Sequence, residues 1–294
     1  MEKILPVKKN LGGFEVKRII PNNVKSIGPW VFFDHFGPAE FAPGVGIDVR
    51  PHPHINLATV TFLFDGNILH RDSLRSTQII KPGDVNLMVA GKGITHSERE
   101  TLETQSNYRM QHGLQLWHAL PDQFEEIKPE FHHYNTNNIP KFDKDGFKCE
   151  LIIGQIFGKN SPVKTFSENL FMIVEGNKNS HLTIPKISEL GIYVLEGQIL
   201  IESNEKAKFE NTEINQHEMY KIKNHELIVK PNIDSKFVVI GGKNLGKRYL
   251  FWNFISSRQE RIKEACIQWE KQNFPKIPGD DKEYIPLPEN IHIQ

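Results

Sequence analysis

The chain has 294 residues, enough for two ordinary domains that each bury roughly two-thirds of the surface their unfolded chains expose. Hydrophobic residues make up 38% and charged residues 24%, a soluble globular balance, and Lys plus Arg equals Asp plus Glu at 36 each, so no net field favours nucleic acid or an anionic membrane. The opening MEKILPVKK has no apolar run behind its lysines, and no later stretch approaches the roughly 18 apolar residues of a membrane span. The expectation is a cytoplasmic protein with no nucleic-acid and no membrane partner. Cys149 and Cys266 are too few for a disulfide framework or a cysteine metal site, and they fit a reducing compartment as small buried side chains.

Residues 10–20, NLGGFEVKRII, read as a turn followed by a strand. Residues 30–37, WVFFDHFG, are so dense in aromatics that a core or barrel-wall role is the plain reading, His35 included. The next stretch, residues 50–99, organises the chain. It opens on His52 and His54 and closes on His96 and Glu98, each pair two residues apart. Residues i and i+2 of a strand point to one face, so each pair aims both side chains into one cavity if its segment is extended. Two such strands facing each other make a four-ligand pocket.

Extended backbone is expected at both ends of this stretch. Pro51 and Pro53 bias the residues before them away from helix, and Pro53 lacks a backbone donor, which suits a strand start or edge. Residues 57–64, LATVTFLF, are rich in β-branched and aromatic side chains and stop at Asp65-Gly66, a hairpin-turn signal, with residues 67–70 as the returning strand. Lys81-Pro82-Gly83-Asp84 reads as a turn, residues 85–89 as another short strand, and Gly91-Lys92-Gly93 as the corner before residues 94–98. Short strands at this spacing argue for an all-β barrel or sandwich. Three imidazoles and one carboxylate suit Fe, Mn, Co, Ni, Cu or Zn and leave coordination positions open for substrate or dioxygen. The plain alternative is solvent-facing His52 and His54 with His96 and Glu98 merely hydrogen-bonded; two such pairs framing one unit favour the metal.

Further on, residues 101–106 read as a polar loop, and residues 113–118 as a strand with Gly113, Gln115 and Trp117 on one face. His132 and His133 lie in a polar stretch and read as solvated loop. Residues 135–148, rich in Asn, Asp, Lys and Gly, mark a boundary between halves. Beyond it, YVLEGQILI at 193–201 echoes FLFDGNILH at 62–70, and Tyr193 stands 131 residues after Phe62, the spacing of a duplicated domain. The same offset puts Thr183 and Pro185 where His52 and His54 stand, and nothing near Lys230 or Asn232 replaces His96 and Glu98. The second copy therefore reads as metal-free, with His181, His217 and His225 at the surface or hydrogen-bonded. Ser257-Arg258-Gln259-Glu260 has the form of a capping box ahead of an amphipathic helix striped by Ile262, Ala265, Cys266 and Trp269. Asp280, Asp281 and Glu283 read as a solvated tail.

Several of these motifs together resemble one family. HPH at 52–54, LFDGNILHRDS at 63–73, PGDVNLMVAGKGITHSE at 82–98 and GLQLWHALP at 113–121 resemble the N-terminal cupin of the pirin family. GPWVFFDHFGPAEF at 28–41 resembles its leading segment, and NFISSRQERI at 253–262 with FPKIPGDDKEYIPLP at 274–288 its C-terminal signature. The resemblance implies an all-β fold of two cupin (jelly-roll type) β-barrel domains in tandem with a C-terminal amphipathic helix. Residues 1–134 would form the metal-binding cupin, residues 135–148 a linker, and residues 149–294 a C-terminal cupin without metal ligands that includes the helix and tail.

It also carries His52, His54, His96 and Glu98 onto the family's four metal ligands, usually occupied by iron, so one divalent transition metal is expected, Fe(II) ahead of Mn, Co, Ni, Cu or Zn. In the family the segment at 30–37 lies near the mouth of the metal cavity, which implies that Phe32, Asp34 and Phe36 are placed to touch a substrate. Some members have quercetin 2,3-dioxygenase activity. The implied reaction is oxidative cleavage of a flavonol-like small molecule or related enol by O2, with Glu98 as fourth ligand or as the base that takes the enol proton. Eukaryotic pirins are linked to transcriptional co-regulation, so a redox-responsive iron-binding protein acting through a protein partner is the other implication. Here residues 55–57 are Ile-Asn-Leu where the animal proteins carry Arg-Gly-Phe, which removes a basic contact from that role. A bicupin whose halves pack together is expected to be a monomer.

Overall fold

A computed structural model describes residues 1–10, 14–203 and 211–289; the turn expected before the first long strand falls on residues 11–13, outside the described residues. The chain divides into two compact units, one of Lys8–Lys17, Phe32–Thr136 and Leu245–Gln294, the other of Met1–Val7, Arg18–Val31 and Asn137–Asn244. The consecutive blocks expected from the sequence are thus replaced by units whose segments alternate along the chain, and the C-terminal helix and tail belong with the histidine-bearing unit. Residues 135–148 are not a linker either. They carry the Lys141–Lys144 strand, paired antiparallel with Phe147–Ile153. The polarity that suggests a loop is that of an edge strand with one wet face: Lys141 and Asp143 are exposed while Phe142 packs against the core of its unit.

In the histidine-bearing unit, a four-stranded sheet runs in the order Asp48–His54, Ile94–Arg99, Ile68–Asp72, Thr77–Ile80. A seven-stranded sheet, most of whose residues belong to this unit, runs Glu130–Tyr134, Val85–Val89, Leu57–Asp65, Arg109–Ala119, Trp30–Phe41, Glu15–Ile20, Val7–Asn10. The two sheets face each other: Leu63 and Phe36 from the larger meet Ile68 and Ile80 from the smaller in one buried cluster. Leu57–Asp65 and Ile68–Asp72 lie in different sheets, so Asp65-Gly66 is a corner between sheets and not the hairpin turn expected. Its turn chemistry is right and its pairing partner is not, because turn residues specify local backbone only. Gly66 has φ 84°, and a Cβ there would sit 2.0 Å from Gln111 Oε1. Pro51 and Pro53 lie on the edge strand of the smaller sheet, the one place where missing ladder donors are tolerated.

The second unit repeats this layout. Its smaller sheet runs Leu182–Ile184, Leu227–Pro231, Gln198–Ser203, Thr212–Asn215, and its larger sheet Glu2–Ile4, Met219–Lys223, Glu189–Glu196, Ser235–Gly242, Asn169–Gly176, Phe147–Ile153, Lys141–Lys144. Where the first unit sets His52 against His96 and His54 against Ile94, this one sets Leu182 against Val229 and Ile184 against Leu227. The inward positions are therefore Leu182, Ile184 and Val229, all fully buried in the core, and not Thr183 and Pro185 as the uniform offset placed them. The repeat slips by one residue on this strand. Apolar burial here contributes on the order of 1.5–3 kcal/mol per side chain, stabilisation that the histidines of the first copy do not supply.

The C-terminal helix, Gln259–Glu270, buries the expected stripe of Ile262, Ala265, Cys266 and Trp269 with Phe251, Phe254 and Phe274. Its capping box does not form: the N-cap is Arg258, and no side chain caps the helix. Ser257 instead donates from its N–H (2.7 Å) and Oγ (3.0 Å) to Glu125, whose carboxylate is 2% exposed and also accepts from Ser256 Oγ at 3.1 Å. A buried carboxylate needs donors more than a helix end open to water does.

The tail that follows is not simply solvated. Asp280 accepts from Ser97 Oγ at 2.7 Å and from Arg99 Nε and Nη2 at 2.9 Å each. Ile285 N–H donates to Pro51 O, and Trp269 Nε1 to Ile285 O, both at 2.9 Å. The tail thus straps the two strands that carry His52, His54, His96 and Glu98. Burial opposes ionisation of Asp280, but the Arg99 and Ser97 donors outweigh it and hold the carboxyl below its ordinary range. Its pKa is lower folded than unfolded, so the contribution is full above the unfolded value of about 3.9 and is lost as pH falls through the folded one. Asp280→Asn should cost about 1–2 kcal/mol after solvent screening is allowed for, and expose the tail to protease at neutral pH. Denaturant unfolding and limited proteolysis check this: the gap from the parent chain closes in acid, and equal protection at neutral pH would refute the strap.

Candidate metal centre

The site is made by one strand pairing. Asp48–His54 runs antiparallel to Ile94–Arg99 with His52 opposite His96 and His54 opposite Ile94. His52 and His54 leave their strand on the same face, as the i, i+2 rule requires, and His96 meets them from across the ladder. Ring centroids are 4.3 Å apart for His52 and His96, 5.0 Å for His54 and His96, and 5.1 Å for His52 and His54. One nitrogen from each ring lies within 4.8 Å of the others, and the three residues are 6%, 1% and 1% exposed.

The tautomers are legible from the partners. His52 Nδ1 donates to Arg50 O at 2.9 Å and His54 Nδ1 to Asn253 O at 3.2 Å; a carbonyl only accepts, so both rings keep the Nε2 lone pair free. The Nε2 atoms of His54 and His96 are buried and have no hydrogen-bond partner among the described residues. Buried nitrogens left without a partner cost roughly 1–3 kcal/mol each, and a metal ion at the centre of the trio is what would satisfy them. Burial pushes the His52 imidazole down to about 4, with the Arg50 carbonyl opposing, and holds His54 and His96 well below the ordinary histidine range, helped by neighbouring imidazoles. Neutral imidazole is the form that binds metal. A divalent metal fits this donor set.

Glu98 lies outside the trio. Glu98 lies opposite Val49, because the register shift after His96 puts an extra residue on the Asp48–His54 strand, while the pairing of Ile94–Arg99 with Ile68–Asp72 runs regularly through His96 and Glu98. Its Oε1 accepts from Thr61 Oγ1 and from Gln115 Nε2, both at 3.3 Å. Burial pushes its carboxyl above the usual range, with His70, Thr61 and Gln115 opposing. Gln115 shares its face with Trp117, as the alternation predicted, and that face is turned to the site: the Trp117 ring is 4.8 Å from His54 and stacks on Phe32 at 3.8 Å with a 10° interplanar angle. Of the other leading-segment residues, Phe36 packs in the sheet–sheet core and Asp34 is 2% exposed.

Several participants escaped the sequence reading. His70 faces His96, stacks on Phe131 at 4.3 Å, and pairs with Asp72 at 2.9 Å. His70 and Asp72 form a third i, i+2 pair of titratable residues, and the logic that found the ligands applies to them equally. Asn253 acts through a carbonyl, which no side-chain pattern could show. His132 and His133 are not solvated loop: they lie half-buried in the Glu130–Tyr134 strand, His132 on Glu130 at 2.7 Å and His133 on Asn86 at 2.7 Å. Polar composition hid an edge strand there, as it did at residues 141–144.

His54→Ala should lower divalent-metal affinity at least tenfold, read by competition against a chelating dye. With imidazoles already neutral, affinity in the parent chain should change little between about pH 8 and about pH 6, whereas three histidines at the ordinary value of about 6.5 would lose affinity steeply across that range. A steep decline would contradict the buried-neutral assignment.

Comparison with known proteins agrees with this architecture. A family model described as Pirin matches residues 13–118, and one described as Pirin C-terminal cupin domain matches residues 170–275. A Pirin-like protein of Caulobacter vibrioides is 40% identical over 96% of this chain and 97% of its own length, and Pirin of Homo sapiens is 29% identical over 87% of each. The crystal structure of a quercetin 2,3-dioxygenase from Acinetobacter baumannii superposes with a TM-score of 0.87 at 30% identity, covering 99% of this chain and 97% of that one. Both halves of the chain and the fold of each are thereby matched, and the protein is a member of the pirin family, a bicupin.

Proposed function

We propose that the chain is a metal-dependent dioxygenase of quercetinase type, acting as a cytoplasmic monomer on a flavonol-like enol and O2, with Fe(II) held by His52, His54, His96 and Glu98. The observation that carries the reading is the trio itself: three buried imidazoles, two with their Nε2 atoms unpartnered, beside a carboxylate. Likeness to the Acinetobacter quercetin 2,3-dioxygenase supports the reaction class. A bound divalent metal supplies Lewis acidity and a redox centre for dioxygen chemistry.

The protein's own groups do the rest. Trp117 lies beside His54 with Phe32 stacked on it, so the trio is bordered by aromatic rings of the kind that pack against a planar aromatic substrate. Glu98 has the proton affinity of a general base: burial raises its carboxyl, while Thr61 and Gln115 both bind Oε1 and orient it. Taking the enol proton onto Glu98 makes the substrate anionic and electron-rich. With a metal bound, the same carboxylate would be the residue to hold it as fourth ligand beside the three imidazoles.

Oxygen consumption with quercetin, by protein reconstituted anaerobically with Fe(II), tests this. Uptake that depends on metal and disappears in His54→Ala supports the assignment; no uptake at stoichiometric iron overturns it in favour of an iron-binding regulatory protein. Glu98→Gln should slow turnover by about 10²-fold at full metal loading. Undiminished turnover would remove the base role.

A further inference from the structure

We infer that His70 and Asp72 form a relay that dictates which nitrogen His96 presents to the centre of the trio. The inference rests on reading that trio as metal ligands. His52 and His54 turn their Nδ1 atoms to backbone carbonyls, which can only accept. Among the described residues no such carbonyl stands behind His96; its Nδ1 faces Nδ1 of His70 at 3.5 Å, the outer range of a hydrogen bond. Two facing imidazole nitrogens do not by themselves decide which one donates.

The far side of His70 decides. Its Nε2 is 2.9 Å from Asp72 Oδ2, and Asp72 is fully buried. The other oxygen, Oδ1, accepts from the N–H of Leu74 at 2.8 Å and of Ser76 at 3.0 Å. A carboxylate ringed by donors acts as acceptor throughout, so His70 Nε2 carries a proton and donates it to Asp72. An imidazole with its one proton on Nε2 offers a lone pair at Nδ1. His96 Nδ1 must be the donor, and its Nε2 is left as the lone pair, the very atom that is buried without a partner among the described residues. The order of donors therefore runs from His96 through His70 to Asp72.

The fold holds this order in place. Asp72 lies opposite His96 in the ladder between Ile68–Asp72 and Ile94–Arg99, and His70 lies opposite Glu98. His70 is 4% exposed and is clamped by its 12° stack on Phe131. His70 and Asp72 touch the ligand and not the substrate, so they are positioning residues. Partners of this kind typically change metal affinity by about 10–100-fold.

The test uses the full chain, with Co(II) as the probe metal and long-range ¹H–¹⁵N correlation of the metal-free protein to read histidine tautomers. In the parent chain His96 should carry its proton on Nδ1. Asp72→Asn keeps an oxygen for Leu74 and Ser76 but sets an amide donor against His70, which reverses the order. It should weaken Co(II) binding by about 10–100-fold and shift the His96 proton toward Nε2. His70→Gln retains an acceptor for His96 and should stay within about threefold of the parent, whereas His70→Phe should match Asp72→Asn. An Nε2-protonated His96 in the parent, unchanged Co(II) affinity in Asp72→Asn, or equal losses in the Gln and Phe variants would each overturn the relay. Should the parent take up no Co(II), the ligand reading of the trio falls, while the tautomer spectrum still decides the relay.

Discussion

One antiparallel pairing, Asp48–His54 against Ile94–Arg99, is what the site depends on. It sets His52 opposite His96, and it carries His54 on the same face as His52. A slip by a single residue would turn every one of these side chains to the other side of the sheet. Several features resist that slip. Pro51 and Pro53 confine their strand to the sheet edge, and the tail bonds to Pro51 on one ligand strand and to Ser97 and Arg99 on the other. The strap reaches the residue between His96 and Glu98, so the register is held from the outer face while the imidazoles converge on the inner one.

The two halves show what a buried site displaces. The second unit puts Leu182, Ile184 and Val229 where the first puts His52, His54 and His96, and those residues join a large apolar core. Three imidazoles in place of that core leave polar atoms that need partners. The first unit finds partners for the outward nitrogens of His52 and His54 in the carbonyls of Arg50 and Asn253, and for that of His96 in His70. It also gains the helix cluster of Phe254, Ile262, Trp269 and Phe274 beside Ile55. Apolar packing next to the ligand strand offsets what its inner face gives up.

Much of the ligand set was legible because strand periodicity is a local property. His52 and His54 needed only extended backbone, which their prolines signalled. Glu98 keeps regular pairing with Ile68–Asp72, but the register shift that sets it opposite Val49 lies in the partner strand and leaves no mark on the spacing. Asp65-Gly66 misled in a similar way: the turn forms as read, but between sheets. The polar runs at 132–133 and 141–144 lie on edge strands, where one face is wet and hydrophobic alternation is weak. Ser257 and Asp280 were misjudged for a further reason, as each is claimed by a charged residue more than 100 positions away in the chain.

The all-β class, the duplication, the spacing of the three histidines, the helix and its buried stripe can all be read along the chain. All of these follow from spacing within a few residues or from one stretch repeating another. Long-range packing sets which strands pair, that the tail belongs with the histidine-bearing unit, that Glu98 rests on Thr61 and Gln115, and that His70 and Asp72 stand behind His96. Those outcomes turn on which distant groups compete for the same donor, acceptor or sheet edge. That competition is settled by packing and desolvation across the fold, and local spacing does not encode it.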